Sequence, residues 1–253
     1  MLGSGTSVGV PMLGCRCKVC SSVDPRDRRL RPSILVRYGA RNLLVDTTPD
    51  LRFQALRADI DHLDAILFTH AHADHLMGLD DVRPLNMRQQ ATIPIYGSPE
   101  TVSTIKKCFG YIFDGEEKES WIPNLELHAL DGSPFDLFGL DVTPVPVLHG
   151  KARIYGFRFG NAAYVTDQSE IPEQSLDKLR DLDVLFLDAL RHRFHPTHST
   201  VERSLAWVEE LSPARAYFTH ICHDLAHELT EKTLPPNVHL AYDTLEITVR
   251  EGR

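Results

Sequence analysis

The apolar run AILFT (65 to 69) leads without a break into HAHADH, so three histidines and an aspartate (His70, His72, Asp74, His75) fall within six positions. This juxtaposition restricts the local fold more than any other stretch of the chain. Residues two apart on a helix diverge, so His70 and His72 cannot serve one centre from a helical face. The stretch is therefore expected to be a loop that follows a buried strand and lets all four side chains converge. Three imidazoles and a carboxylate suit zinc, manganese or iron. Four donors from one loop crowd a single ion, which points to two.

Other short apolar or β-branched runs read as strands: SILVRY (33 to 38), NLLVD (42 to 46), IPIY (93 to 96), LDVTPVPV (140 to 147), AAYVTD (162 to 167), DVLFLD (183 to 188), ARAYFTH (214 to 220) and LEITV (245 to 249). Helical periodicity marks 98 to 109, 171 to 182 and 199 to 212, each opened by Ser or by an Ile-Pro start. The pattern is α/β, with an all-strand middle around 126 to 166. No low-complexity linker or long repeat interrupts it, so residues 1–253 are expected to form a single domain. Met1-Leu2 runs straight into GSGTS, which implies a very short first strand or a start further upstream.

The 42% hydrophobic content supplies a substantial core, and the net charge of −8, without a basic block, argues against a nucleic-acid backbone as the main partner. No apolar run approaches the roughly 20 residues that span a bilayer. A cytoplasmic protein is expected. In a reducing compartment the crowded GCRCKVC cluster (Cys15, Cys17, Cys20) reads as a metal site rather than as disulfides. Three thiolates need a fourth donor to close a tetrahedral zinc site, and both Cys222 and His223 are candidates. Thiolate chemistry favours Cys222. Cys108, and Cys222 if it is not a ligand, read as small core residues. Asp46, closing NLLVD, is either a cap ahead of TTPD or an acceptor that orients a ligand imidazole.

The motif THAHADH (69 to 75) resembles the signature of the metallo-β-lactamase superfamily. The resemblance implies a four-layer αββα sandwich and a dinuclear hydrolase. It also implies further ligands at His149 in PVPVLHG, Asp167 in AAYVTDQ and His220 in AYFTHICHD. On that reading His70, His72 and His149 hold one ion and Asp74, His75 and His220 the other, with Asp167 bridging. Two such ions acidify a shared water and aim it at phosphorus or a carbonyl carbon.

Taken together, GSGTSVGVP, GCRCKVC, THAHADH and THICHD resemble the phosphodiesterase group that acts on phosphoribosyl cyclic phosphate in the carbon–phosphorus lyase pathway. By that resemblance His223 is the fourth ligand of a structural zinc. His198, in HRFHPTHST, would lie beside the substrate phosphate as a general acid, with His195 as the alternative. Asp74 and His198 would then carry the reaction between them. Arg83, in GLDDVRP, borders the pocket in that group, and GSGTS offers a turn with several backbone N–H groups.

The expected function is hydrolysis of a small cyclic or nucleotide-like phosphodiester, with two active-site zinc or manganese ions and one structural zinc. A homodimer is expected by analogy. The rivals are a transfer-RNA 3′ processing nuclease, which normally carries a long Gly/Pro-rich arm not evident in this sequence, and a metal-binding member of the superfamily that does not hydrolyse. The quinone-cofactor biosynthesis protein of the superfamily shares a cysteine cluster, so these motifs leave the substrate open.

Overall fold

Runs that are apolar on both faces, such as Ala65–Leu67, fold as interior strands, because a parallel strand covered on both sides needs no polar alternation. A computed structural model describes residues 1–116 and 119–249 and divides into two compact units.

One unit comprises residues 2 and 33–131. Its sheet runs β1 (Ile34–Tyr38), β2 (Arg41–Val45), β3 (Ala65–Leu67), β4 (Ile93–Gly97), β5 (Leu125–Ala129), in that order. β1 and β2 pair antiparallel, and the remaining pairs are parallel. The helices are α1 (Leu51–Arg57), α2 (Ala73–Leu76), α3 (Arg83–Gln89), α4 (Pro99–Cys108) and α5 (Gly110–Phe113). α4 starts where the sequence places it: the Ser98 hydroxyl accepts the Thr101 N–H at 3.1 Å, and Pro99 occupies the first turn. The core gathers Leu44, Ile66, Phe68, Leu76, Ile95 and Ile105, among others.

The other unit comprises residues 1, 3–32 and 132–253. Its strands are β6 (Phe135–Leu137), β7 (Leu140–His149), β8 (Ala152–Phe159), β9 (Ala162–Val165), β10 (Val184–Asp188), β11 (Arg215–Thr219) and β12 (Val238–Leu240). They lie side by side in chain order, antiparallel from β6 to β9 and parallel from β9 to β12. α6 (Glu173–Leu176), α7 (Val201–Leu211) and α8 (His227–Glu231) complete it. Trp207, Val208 and Leu211 of α7 pack with Leu185, Leu187 and Phe218 of the sheet.

β7 extends beyond its short neighbour β6, whose pairing stops at Val142. Pro144 and Pro146 fall in the part that β6 does not reach, where a missing N–H breaks no ladder. Their carbonyls on that side accept from Lys178 Nζ (2.9 Å) and Ser175 Oγ (2.6 Å).

Two elements differ from the sequence reading. The helix expected over 171 to 182 is one α-turn followed by a 3₁₀ turn, Asp177–Leu179. LEITV has the alternation of a strand but no ladder partner among the described residues: Leu245, Ile247 and Val249 lie against Val184 and Tyr217 of the sheet. Among the described residues no helix is long and apolar enough to cross a membrane.

Candidate metal centres

In the first unit, the chain leaves buried β3 through Phe68 and Thr69, both wholly buried, and enters the histidine run. His72 is extended, and a single helical turn then carries Asp74 and His75. The expected loop is thus extended in its first half and helical in its second. That is compatible with the i, i+2 restriction, which concerned His70 and His72.

Asp46 follows β2, the neighbour of β3, with a left-handed backbone (φ 65°). Its Oδ1 accepts the Thr69 N–H at 2.9 Å. Its Oδ2 accepts the Thr69 hydroxyl at 2.8 Å and the His75 Nδ1–H at 2.7 Å. With its proton given to Asp46, the Thr69 oxygen accepts from His70 Nδ1 at 3.0 Å. One buried carboxylate therefore sets the tautomer of two imidazoles and leaves each Nε2 as the donor atom toward a metal. Burial raises the Asp46 pKa, and the His75 imidazole opposes that shift. Of the two roles read for Asp46, the orienting one is what the hydrogen bonds display.

The neighbouring rings gather closely, His70 to His72 at 4.5 Å and His70 to His75 at 4.2 Å between centroids. His75 Nε2 and Asp74 Oδ2 are 3.3 Å apart. A tetrahedral ion with bonds of about 2.0–2.1 Å separates its ligand atoms by about 3.3–3.4 Å, so the pair fits a shared zinc-sized ion.

In the second unit His149, Asp167 and His220 each sit at or just beyond a strand end. His149 closes β7, and its Nδ1–H donates to the Thr197 carbonyl at 2.7 Å, which leaves Nε2 as its ligand atom. Asp167 and His220 follow β9 and β11 with left-handed backbones (φ 59° and 57°), and Asp167 Oδ1 lies 3.1 Å from His220 Nε2. Left-handed backbone costs a non-glycine residue about 1–2 kcal/mol, and such strain gathers at functional sites.

Asp188 closes β10, wholly buried, with Oδ2 2.7 Å from His198 Nδ1. Its other oxygen, Oδ1, has no hydrogen-bond partner among the described residues. Burial raises the Asp188 pKa, and the His198 ring counteracts it. The His198 ring stacks on His220 at 4.6 Å and meets His149 edge-on at 4.7 Å. Ligand-capable atoms of His149, Asp167 and His198 lie within 4.8 Å of one another. His195, the alternative to His198, has a threonine rather than a carboxylate on its Nδ1, and burial lowers its pKa.

Asp188 was missed in the sequence. Its signal was available, because VLFLD ends on an aspartate as NLLVD does. Two other predicted features do other work. Three of the GSGTS amides are committed within the protein: Ser4 N–H donates to Asp243, Gly5 N–H to Leu30, and Thr6 N–H to Ile221. Arg83 is half-buried and donates to the Trp121 carbonyl at 3.0 Å.

The cysteine cluster lies wholly in the second unit. His223 Nδ1 is 3.3 Å from Cys15 Sγ and 3.4 Å from both Cys17 Sγ and Cys20 Sγ. Zinc bonds of about 2.3 Å to sulfur and about 2.0–2.1 Å to nitrogen put S and N about 3.5 Å apart in a tetrahedron, close to the observed spacing. The structure brings His223, not Cys222, to the three thiols; Cys222 is buried and accepts the Asp224 N–H. Cys108 is exposed at the end of α4, contrary to the expected core position. The Cys17 pKa is lowered to about 6, first by the Cys20 N–H that donates to its sulfur, whereas burial pushes Cys20 up to about 11.

The family model described as Beta-lactamase superfamily domain matches residues 41–221. A solved structure of a diphosphatase from the PhnP family is 50% identical, with a TM-score of 0.93 over 99% of this chain and 96% of that one. An octanoyltransferase of Porphyromonas gingivalis is 36% identical over 99% of this chain but 51% of its own length. A ribonuclease Z of Bradyrhizobium diazoefficiens is 31% identical over 55% of this chain and 47% of its own. The chain spans about half the length of these curated relatives.

Proposed function

The chain belongs to the β-lactamase superfamily and has the metallo-β-lactamase fold, and from that premise we propose that it is a metal-dependent phosphodiesterase acting on a small cyclic or nucleotide-like phosphodiester. Residues 1–253 act as one hydrolase domain. His70, His72 and His149 hold one divalent ion, and Asp74, His75 and His220 hold the other, with Asp167 shared. The fit of the donors supports this: imidazoles held with Nε2 available, and carboxylate–imidazole spacings of 3.1 and 3.3 Å. When bound, two zinc or manganese ions acidify a water and offset charge on the phosphate oxygens.

The observation that carries the reading is the Asp188–His198 pair. Asp188 holds the Nδ1 proton and stabilises an imidazolium at His198. His198 then gives its Nε2 proton to the departing alkoxide, a role worth roughly 10²–10⁴-fold in rate. Cys15, Cys17, Cys20 and His223 hold a structural zinc, and a cytoplasmic setting that keeps thiols reduced suits that cage.

Metal analysis of the purified protein, joined to a panel of ribose cyclic phosphates, a linear dinucleotide, a diphosphate diester and precursor transfer RNA, tests the proposal. Turnover of a small diester with about three ions per chain is expected, two for hydrolysis and one for the thiolates. Preferential cleavage of precursor transfer RNA would favour the nuclease reading, to which the ribonuclease Z similarity belongs. Metal-replete protein inert on the whole panel would leave a non-hydrolytic metal-binding role.

A further inference from the structure

Arg29 is among the largest side chains buried completely in this protein, with 1% of its surface exposed. It lies nine residues after Cys20 and uses its guanidinium in four directions. Nη1 donates to the Cys222 carbonyl (3.0 Å). Nη2 donates to the Leu225 carbonyl (2.8 Å) and to Asp27 Oδ1 (2.9 Å), and Nε donates to the Arg26 carbonyl (3.2 Å). Asp27 Oδ1 also accepts the His227 N–H at 2.8 Å. The backbone of Arg29 is fixed independently, by reciprocal 2.8 Å bonds with Val10.

The residues so held lie on both sides of His223 and close behind His220. Cys222 immediately precedes His223, which meets the thiols, and stands two residues after His220. Leu225 and His227 fix the other side of the same turn. A buried cation is costly unless it is paired and fully hydrogen-bonded. A lysine has the charge but not the fork that reaches two carbonyls and a carboxylate together.

We infer that Arg29 is a positioning residue for the metal donors, a buried clamp that holds the 220–227 turn so that His223 closes the cysteine cage and His220 keeps its place after β11. Without the clamp, the Cys222 and Leu225 carbonyls lose their shared donor and His223 is free to leave the thiols, so a cage of three sulfurs and one nitrogen becomes one of three sulfurs and water. The inference rests on reading the cysteine cluster as a metal site.

Cobalt(II) substitution tests both the clamp and that reading, because sulfur-to-cobalt charge-transfer bands report the thiolates and the visible d–d bands report the fourth ligand. The wild type, Arg29→Lys, Asp27→Asn and His223→Ala are loaded and compared, with zinc affinity measured by competition against a chromophoric chelator. In Arg29→Lys the charge-transfer bands should persist, the d–d envelope should move to that of His223→Ala, and zinc affinity at the thiolates should fall at least tenfold. Asp27→Asn, which leaves the guanidinium without its counter-charge, should shift the same way by less. If Arg29→Lys fails to fold, Asp27→Asn decides alone. Wild-type bands and affinity in whichever of these variants fold overturn the clamp. Absence of charge-transfer bands in the wild type overturns the metal reading of the cysteine cluster itself.

Discussion

Asp188 and His198 share a 2.7 Å hydrogen bond that joins the buried end of β10 to the loop before α7. The bond fixes the orientation of the imidazole and turns its Nε2 away from the carboxylate. Asp188→Asn and His198→Ala should therefore slow hydrolysis of an alkyl phosphodiester by about 10²–10⁴-fold. A nitrophenyl diester, whose leaving group departs as a stable anion, should lose far less. Equal losses on the two substrates in steady-state assays would remove His198 as the acid.

Asp46 is placed, through Thr69 and His75, to affect metal binding rather than proton transfer. In Asp46→Asn an amide N–H₂ competes for the place facing His75 Nδ1, and the tautomer relay through Thr69 is lost. Affinity for the active-site ions should fall by about 10–100-fold, as for other groups that orient a ligand imidazole. Chelator competition on the folded protein measures this. Unchanged affinity would mean that the imidazoles hold their tautomers unaided.

Gly150 follows His149 at φ +61°, and a Cβ there would stand 2.9 Å from Thr197 Cγ2. The Thr197 carbonyl is the acceptor for His149, so Gly150→Ala should displace both partners and reduce kcat more than stability. Adding Thr197→Ser removes the methyl that clashes. That double variant should recover part of the lost rate, and the absence of any recovery would place the damage in the backbone strain alone.

Gly78 is less forgiving, because a Cβ would collide with the carbonyl oxygen of Thr48, a backbone atom. Nothing flexible can yield there. Gly78→Ala should destabilise by about 3 kcal/mol or more, visible as a lowered midpoint in urea.

In metal-free protein Cys17, with its pKa lowered to about 6, should react with iodoacetamide at neutral pH well before buried Cys20, which is pushed up to about 11. Labelling of Cys17 should rise with pH through about 6 as its thiolate forms, and added zinc should suppress it. Peptide mass spectrometry resolves the two thiols, and faster labelling of Cys20 would contradict the ordering.

Much of this was legible in the sequence because strand ends announce themselves. AILFTH, PVPVLH, VTD and FTH each join an apolar run to a donor, and a buried strand has to surface somewhere. The orienting partners were harder to read. Asp46 invited two roles, since an aspartate before TTPD is as good a turn residue as an acceptor, and Asp188 passed as the polar end of a strand. Neither spacing nor composition reveals which imidazole a carboxylate will face 10 or 29 residues away. LEITV misled because alternation reports a half-buried surface, not a ladder partner. The choice of His223 over Cys222 depended on which side of one turn faces the thiols, and that turn is held by Arg29, distant in sequence.

The two prolines of β7 have a consequence outside the chemistry. An uncovered strand rim is a template on which another polypeptide can add by hydrogen bonding, the route by which β-proteins swap segments or form fibrils. Pro144 and Pro146 supply no donors along that rim, and Lys178 and Ser175 already occupy the acceptors. The strand that delivers His149 thus ends in a border closed to recruitment, which should keep the protein dispersed at concentrations where an all-amide rim would invite self-association.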